Sequence, residues 1–296
     1  MTDLKIGISF NPYGNTFGRY GAEKFAKLNE QGYDAADINL SDTTTELYSV
    51  DEQELKEILD RELRAARRAG ITISQVHGPW RSPPRDAVPE DRAERMEKMK
   101  RAVVITALLQ CPYVVIHPIM PYGTEDIAAG RAEDTRALNL AFFKELVAFA
   151  KGYDVTVCLE NMPCRDFSLA TPEQILSFVR EVDDDHFGIC LDTGHVAFIP
   201  GLSAGEEVRR LGKYIKVLHL HDNMGDNDRH LSPMDGIIDW PDLLQALKEI
   251  GFSGVLSLET KIPGNYDDAR FAEESIKLNR LFRQLVEKTE AKTPQI

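Results

Sequence analysis

Short runs of β-branched and other apolar residues alternate along the whole chain with longer, charged stretches of roughly 3.6-residue periodicity. The short runs predict strands: LKIGISF (4–10), AADINL (35–40), TISQVH (72–77), YVVIHP (113–118), TVCLEN (156–161), FGICLDTGH (187–195), IKVLHLHDN (215–223) and GVLSLET (254–260). The charged stretches predict helices over 20–31, 51–69, 88–110, 131–151, 172–181, 204–212, 239–249 and 267–287. Gly32, Gly70 and Gly251 stand where helices stop, and Thr171-Pro172 and Asp239 stand where they start. Eight βα units without a break in composition close most simply into one (β/α)8 TIM barrel spanning residues 1–296. A polar C-terminal tail, fraying from about residue 288, is expected beyond it. A doubly wound open sheet is the alternative, but it asks for a Gly-rich first turn, and NPYGNTFG is a poor phosphate loop.

Strand alternation then assigns faces, because residues two apart point the same way. Leu159, Leu191, Leu218, Leu220, Leu256 and Leu258 turn toward the helices. Cys158 with Glu160, Cys190 with Asp192, Val217 with His219 and His221, and Ser257 with Glu259 turn into the barrel. His77 and His117 also close their strands. Every strand from the third to the eighth therefore carries a His, Asp or Glu to the C-terminal rim, where barrels build active sites. Of seven histidines only His186 lies elsewhere. A single polar residue at a strand end is ordinarily a cap or a solvated loop residue. Convergence from six strands is different, because carboxylates and imidazoles crowded together repel or stay costly to desolvate unless a cation satisfies them jointly.

Composition narrows the class. A formal net charge of −13 argues against a surface made for nucleic acid or an anionic membrane. Both signs interleave on DEQELKEILDRELRAARR and DRAERMEKMKR, as on solvated outer helix faces. Cys111, Cys158, Cys164 and Cys190 lie far apart without CxxC spacing and read as small core residues of a reduced protein. The start MTDLKIGISF has no leader pattern, and no window nears eighteen unbroken apolar residues. A soluble cytoplasmic protein is expected, with no membrane partner.

The donors nearest the strand ends are Glu160, Asp192, His219 and Glu259. Three carboxylates and one imidazole suit a divalent ion, Mn2+ best, with Mg2+, Co2+ or Zn2+ compatible. With a divalent ion the site's charge is about −1, which leaves the metal electrophilic enough for hydroxyl or carbonyl oxygens.

CLENMP, CLDTGH, HLHDN with DRHLSPMDGIIDW, and LSLETK, in that order on successive strands, resemble the xylose isomerase-like TIM-barrel superfamily of sugar isomerases and epimerases, which also contains endonuclease IV. The resemblance spans essentially the whole barrel. It implies Glu160, Asp192, His219 and Glu259 as metal ligands and Glu160 and Glu259 as an acid/base pair on opposite faces of a substrate carbon. Removing a proton next to a carbonyl gives an enediolate, whose charge a bound cation stabilises while either base returns the proton. His195 matches a position that contacts substrate oxygens in that family. His77, His117 and His221 join it as substrate-binding or supporting candidates. The substrate implied is a sugar or sugar phosphate, and homo-oligomers are common in the family.

The rival is an endonuclease IV-like AP endonuclease with three zinc ions, since His77, His117, Glu160, Asp192, His195, His219, Asp228, His230 and Glu259 match its nine ligands. Asp228 and His230 are the candidates for additional metal. Against it stand the rigid HGPWRSPPRD after the third strand, basic residues scattered on helices, and His221 where that pattern has Asn. Two further readings are a metal-binding barrel without turnover and a dehydratase or lyase on keto-sugars or their glycosides, which shares the first proton abstraction. Trp80 and Arg81 are candidates for a lid over a polyol. Arg229 is a candidate anion contact, and Lys261 shares the parity of Glu259.

Overall fold

The computed structural model describes residues 4–12, 14, 16–80 and 86–291, and all eight predicted strands are present in it. They are β1 (Ile6–Phe10), β2 (Ala35–Asn39), β3 (Thr72–His77), β4 (Tyr113–Ile116), β5 (Thr156–Glu160), β6 (Phe187–Asp192), β7 (Ile215–His219) and β8 (Leu256–Leu258). All pair in parallel, in the order β7-β6-β5-β4-β3-β2-β1-β8. The two ends of that order meet just past His219. Leu220 N donates to Ser257 O at 2.8 Å and Glu259 N donates to Leu220 O at 2.9 Å, so the sheet curls into a nearly closed (β/α)8 TIM barrel.

The helices between them start and stop where local chemistry dictates. They are α1 (Lys24–Glu30), α2 (Glu52–Arg68), α3 (Pro89–Leu108), α4 (Ala132–Lys151), α5 (Pro172–Val182), α6 (Thr193–Phe198), α7 (Ala204–Leu211), α8 (Trp240–Glu249) and α9 (Asp268–Ala291). Asp51 caps α2 by accepting from Glu54 N at 2.9 Å, and Thr171 and Gln174 form a reciprocal capping box on α5. Asp239 caps α8 by accepting from Asp242 N at 3.1 Å. Gly70 ends α2 at φ 71, a backbone angle that a β-carbon would strain.

Among the boundaries that differ from expectation, four have a local cause or bear on the site. The helix expected over 20–31 is a 3-10 segment, Phe17–Glu23, followed by α1, with a break at Gly21 (φ 52, ψ −123). The sixth strand ends at Asp192 rather than 195, because that side chain accepts from His195 N at 2.7 Å and starts α6 at once. The seventh ends at His219, with Leu220 contributing a single bridge. The polar tail expected from about 288 is helical through Ala291, because Leu278, Phe282 and Val286 recur at four-residue spacing and bury one face of α9.

The predicted facing holds. Leu159, Leu191, Leu218, Leu220, Leu256 and Leu258 join the large core between sheet and helices, while Val115, Cys158, Cys190 and Val217 form a separate cluster inside the barrel. The barrel interior is not wholly apolar, however. Asp37, Gln75 and Ser257 are fully buried there, with Gln75 Nε2 3.0 Å and Ser257 Oγ 3.4 Å from Asp37 Oδ2. All four cysteines are free. Among the described residues no helix is long and apolar enough to cross a membrane.

Candidate metal centre

Glu160, Asp192, His219 and Glu259, from the ends of four neighbouring strands, each present one donor atom, and these atoms lie within 4.8 Å of one another. His219 Nδ1 is 2.9 Å from Glu160 Oε1 and 3.3 Å from Glu259 Oε2. Three of the four side chains are sealed, at 0–1% exposure, whereas Glu259 is 16% exposed and faces the opening. The barrel rim thus supplies three carboxylates and an imidazole converging on one point, a donor set for a hard or borderline divalent cation.

The neighbouring histidines are oriented by backbone. His77 Nδ1 donates to Gly78 O at 2.8 Å, His195 Nδ1 to Asn161 O at 2.7 Å and His230 Nδ1 to Glu259 O at 2.8 Å. His221 Nδ1 lies 3.3 Å from Asp222 O. Each is thereby set with Nε2 toward the site. His77 and His117 bring their Nε2 atoms to 3.1 Å of each other, and His117 Nε2 to 2.9 Å of Glu160 Oε2. His221 Nε2 lies 3.0 Å from Asp192 Oδ2, and its ring stacks on His230 at 4.1 Å. Asp228 Oδ2 is 3.2 Å from His230 Nε2 and 3.5 Å from His195 Nε2. The structure therefore gathers every candidate imidazole and carboxylate into one continuous cluster.

The remaining candidates fall differently. Trp80 packs edge-on against His117, centroids 4.6 Å apart, and forms a wall of the site. Arg229 is half-exposed and turned to Asp226, with Nε 2.8 Å from Oδ1, away from the four donors. It borders, with Thr16, His230 and Lys261, an open groove of about 640 Å3 beside the cluster. Arg81 lies outside the described residues.

Sequence reasoning passed over three residues. Asp37 reaches His219 from below. Asn161 clamps Asp192, accepting from its N–H at 2.8 Å and donating to its carbonyl at 3.0 Å. Asp222 accepts from Trp240 Nε1 at 2.7 Å and from three backbone amides, pinning the loop that carries Asp228 and His230. The signal for Asp37 was available as a lone acid at an inward position of AADIN. The other two depend on contacts that pattern does not encode.

Electrostatics fit a cation. Burial would raise the Glu160 carboxyl, but His219 and His117 hold it well below the usual range. Burial raises Glu259, and Glu160 and Asp192 add to this against the pull of His219 and His230. Burial lowers His117 to about 4, overriding Glu160. His195 is carried up to about 10 against burial by Asp192 and Asp228, and His230 up to about 9 by Asp228 and Glu259. Glu160 Oε2 and Asp228 Oδ1 are buried without a well-aligned hydrogen bond. Orphaned acceptors of this kind, among surplus carboxylates, are what a bound cation would satisfy.

The family described as xylose isomerase-like TIM barrel matches residues 25–282. An uncharacterized protein of Methanocaldococcus jannaschii is 30% identical over 94% of this chain and 89% of its own. The D-psicose 3-epimerase of Enterocloster bolteae is 24% identical over 88% of this chain and 85% of its own. A solved structure of a D-tagatose 3-epimerase-like protein superposes with a TM-score of 0.74 at 26% identity, covering 96% of this chain and 99% of that one. The chain belongs to the xylose isomerase-like TIM-barrel family and stands there among isomerases and epimerases.

Proposed function

We propose that the protein is a metal-dependent isomerase or epimerase of a sugar or sugar phosphate, in which Glu160, Asp192, His219 and Glu259 hold one divalent cation, Mn2+ foremost. The observation that carries this is the convergence of those four donors within 4.8 Å at the rim of the barrel. Bound there, the cation would polarise the substrate carbonyl next to the carbon that loses its proton. Glu259, the one partly exposed member of the four, is the group suited to take a proton from a bound substrate, and Glu160 is its counterpart from the sealed side. His195 and His230, whose Nε2 atoms meet at Asp228, would donate to substrate hydroxyls, His230 from the edge of the groove. Trp80 offers an apolar face to a sugar ring. Arg229 is engaged by Asp226, which favours an unphosphorylated substrate. The reduced cytoplasm suits the four free cysteines.

The test is a metal analysis joined to a screen of ketohexoses, their phosphates and 3-keto-glycosides, with solvent-deuterium incorporation as readout. One metal per chain and exchange at the carbon next to the carbonyl support the proposal. An eliminated product would move it to the lyase reading. A nuclease reading keeps one observation in its favour, the additional donor groups His77–His117–Glu160 and His195–Asp228–His230. Three zinc ions per chain and metal-dependent nicking of abasic duplex would establish it and overturn the sugar proposal.

A further inference from the structure

Four of the site's histidines share one orientation: His77, His195, His221 and His230 have Nδ1 at a backbone carbonyl and turn Nε2 to the site. His219 is reversed. Its Nδ1 faces Glu160 and Glu259, and its Nε2 points down the barrel to Asp37 Oδ2 at 3.1 Å, off the line of an ideal hydrogen bond.

Asp37 comes from β2, the far side of the barrel, and is fully buried. Its Oδ2 accepts from Gln75 Nε2 of β3 at 3.0 Å and from Ser257 Oγ of β8 at 3.4 Å. Gln75 Nε2 also donates to Leu218 O at 3.2 Å. An amide NH2 can only donate, so Oδ2 serves as an acceptor in this arrangement, and at 3.1 Å it suits a His219 Nε2 that carries the ring hydrogen. Nδ1 is then the nitrogen left to ligate. The ring is sealed from solvent and lies parallel to His77 at a centroid distance of 5.6 Å and an interplanar angle of 9°.

We infer that Asp37 is a positioning residue of the metal centre, fixing His219 in the orientation and tautomer that present Nδ1 to the cation, with Gln75 and Ser257 fixing Asp37 in turn. A carboxyl behind a ligating imidazole sets ring orientation and raises ligand basicity, and its loss typically lowers metal affinity 10–100-fold. The inference rests on the metal-centre reading above.

Titration calorimetry of the chelator-treated chain with Mn2+ tests it, comparing wild type with Asp37→Ala, Asp37→Asn and Cys158→Ala. Asp37→Ala is expected to weaken Mn2+ binding by about 10–100-fold. Asp37→Asn, which keeps an acceptor oxygen in reach of His219, should recover most of the loss, and Cys158→Ala, which removes a sealed atom of the barrel interior outside the Asp37 contacts, should bind as wild type. The Co2+ absorption bands should change in Asp37→Ala, a signature that lost packing alone would leave in place. Undiminished Mn2+ affinity in Asp37→Ala overturns the inference, as does equal loss in Cys158→Ala. Wild-type protein that takes up no divalent ion overturns the metal-centre reading itself, a separate outcome. Should Asp37→Ala not fold, nitrogen-15 spectra of Zn2+-loaded wild type decide the matter. Zinc on Nδ1 of His219 with Nε2–H retained supports the inference; zinc on Nε2 refutes it.

Discussion

Replacing Asp222 probes how the loop bearing Asp228 and His230 is held over the site. Its carboxylate accepts from Asn223 N at 2.9 Å and Ile238 N at 3.2 Å on Oδ1, and from Met234 N at 3.0 Å and Trp240 Nε1 at 2.7 Å on Oδ2. Asp222 and Trp240 are both fully buried. In Asp222→Ala the indole N–H is left as an unsatisfied buried donor, costing about 1–3 kcal/mol, and three amides lose bonds to a charged acceptor. Water entering the vacated space recovers part of this, so a destabilisation of about 3–5 kcal/mol is expected. Asp222→Asn is the sharper variant. Whichever way the amide is turned, its NH2 faces two N–H donors, so it should lose nearly as much as alanine despite its matching shape. Urea unfolding followed by circular dichroism and by fluorescence, with Trp240 one of only two tryptophans, measures both variants. If Asp222→Asn unfolds within about 1 kcal/mol of wild type, the four-acceptor account is wrong.

Gly194 offers another steric test: a β-carbon there would sit 1.9 Å from His221 Cε1, and His221 is fixed between Asp192 and the His230 ring. Gly194→Ala should cost about 1–3 kcal/mol by thermal unfolding and depress turnover, and a structure with His221 unmoved would contradict it. Glu259→Gln should keep the fold while lowering kcat by about 10²–10⁴-fold on the substrate identified in the screen, and near-normal turnover would remove Glu259 from the proton transfer. Arg229→Ala should leave KM for an unphosphorylated ketose unchanged, since Asp226 already engages the guanidinium; a tenfold rise measured by initial rates would place Arg229 on the substrate. Chelator treatment should lower the midpoint of thermal unfolding and added Mn2+ should restore it, because a ligand bound only by the folded state stabilises that state.

How far the site was legible in the sequence follows from what alternation can report. A period of two places a residue on a face, and a strand end places it at a height. Together these locate Glu160, Asp192, His219 and Glu259, whose donor atoms meet within 4.8 Å. Elements were legible for the same reason, while their ends were not. Asp192 reads as a strand residue by its apolar neighbours, yet its capping bond to His195 N turns the chain into α6 and so sets His195 beside Asp228. That switch depends on a side chain satisfying a backbone amide three residues on, which hydrophobic periodicity does not register.

Legibility fails for the residues that act across the barrel. Asp37 is separated from His219 by more than half of the sequence, and only closure through Leu220 and Ser257 brings β2 and β7 to face each other across one narrow interior. Asp37 and Asp222 are both fully buried, and both are acceptors of several hydrogen bonds, but one meets the nitrogen of a candidate ligand and the other an indole and three amides. Residue type and burial are therefore the same for a group argued to position the metal centre and for one argued to hold a loop. What separates them is the identity of the donor, and that is also why the two substitutions are expected to differ in readout: Asp37→Ala in metal affinity, Asp222→Ala in stability.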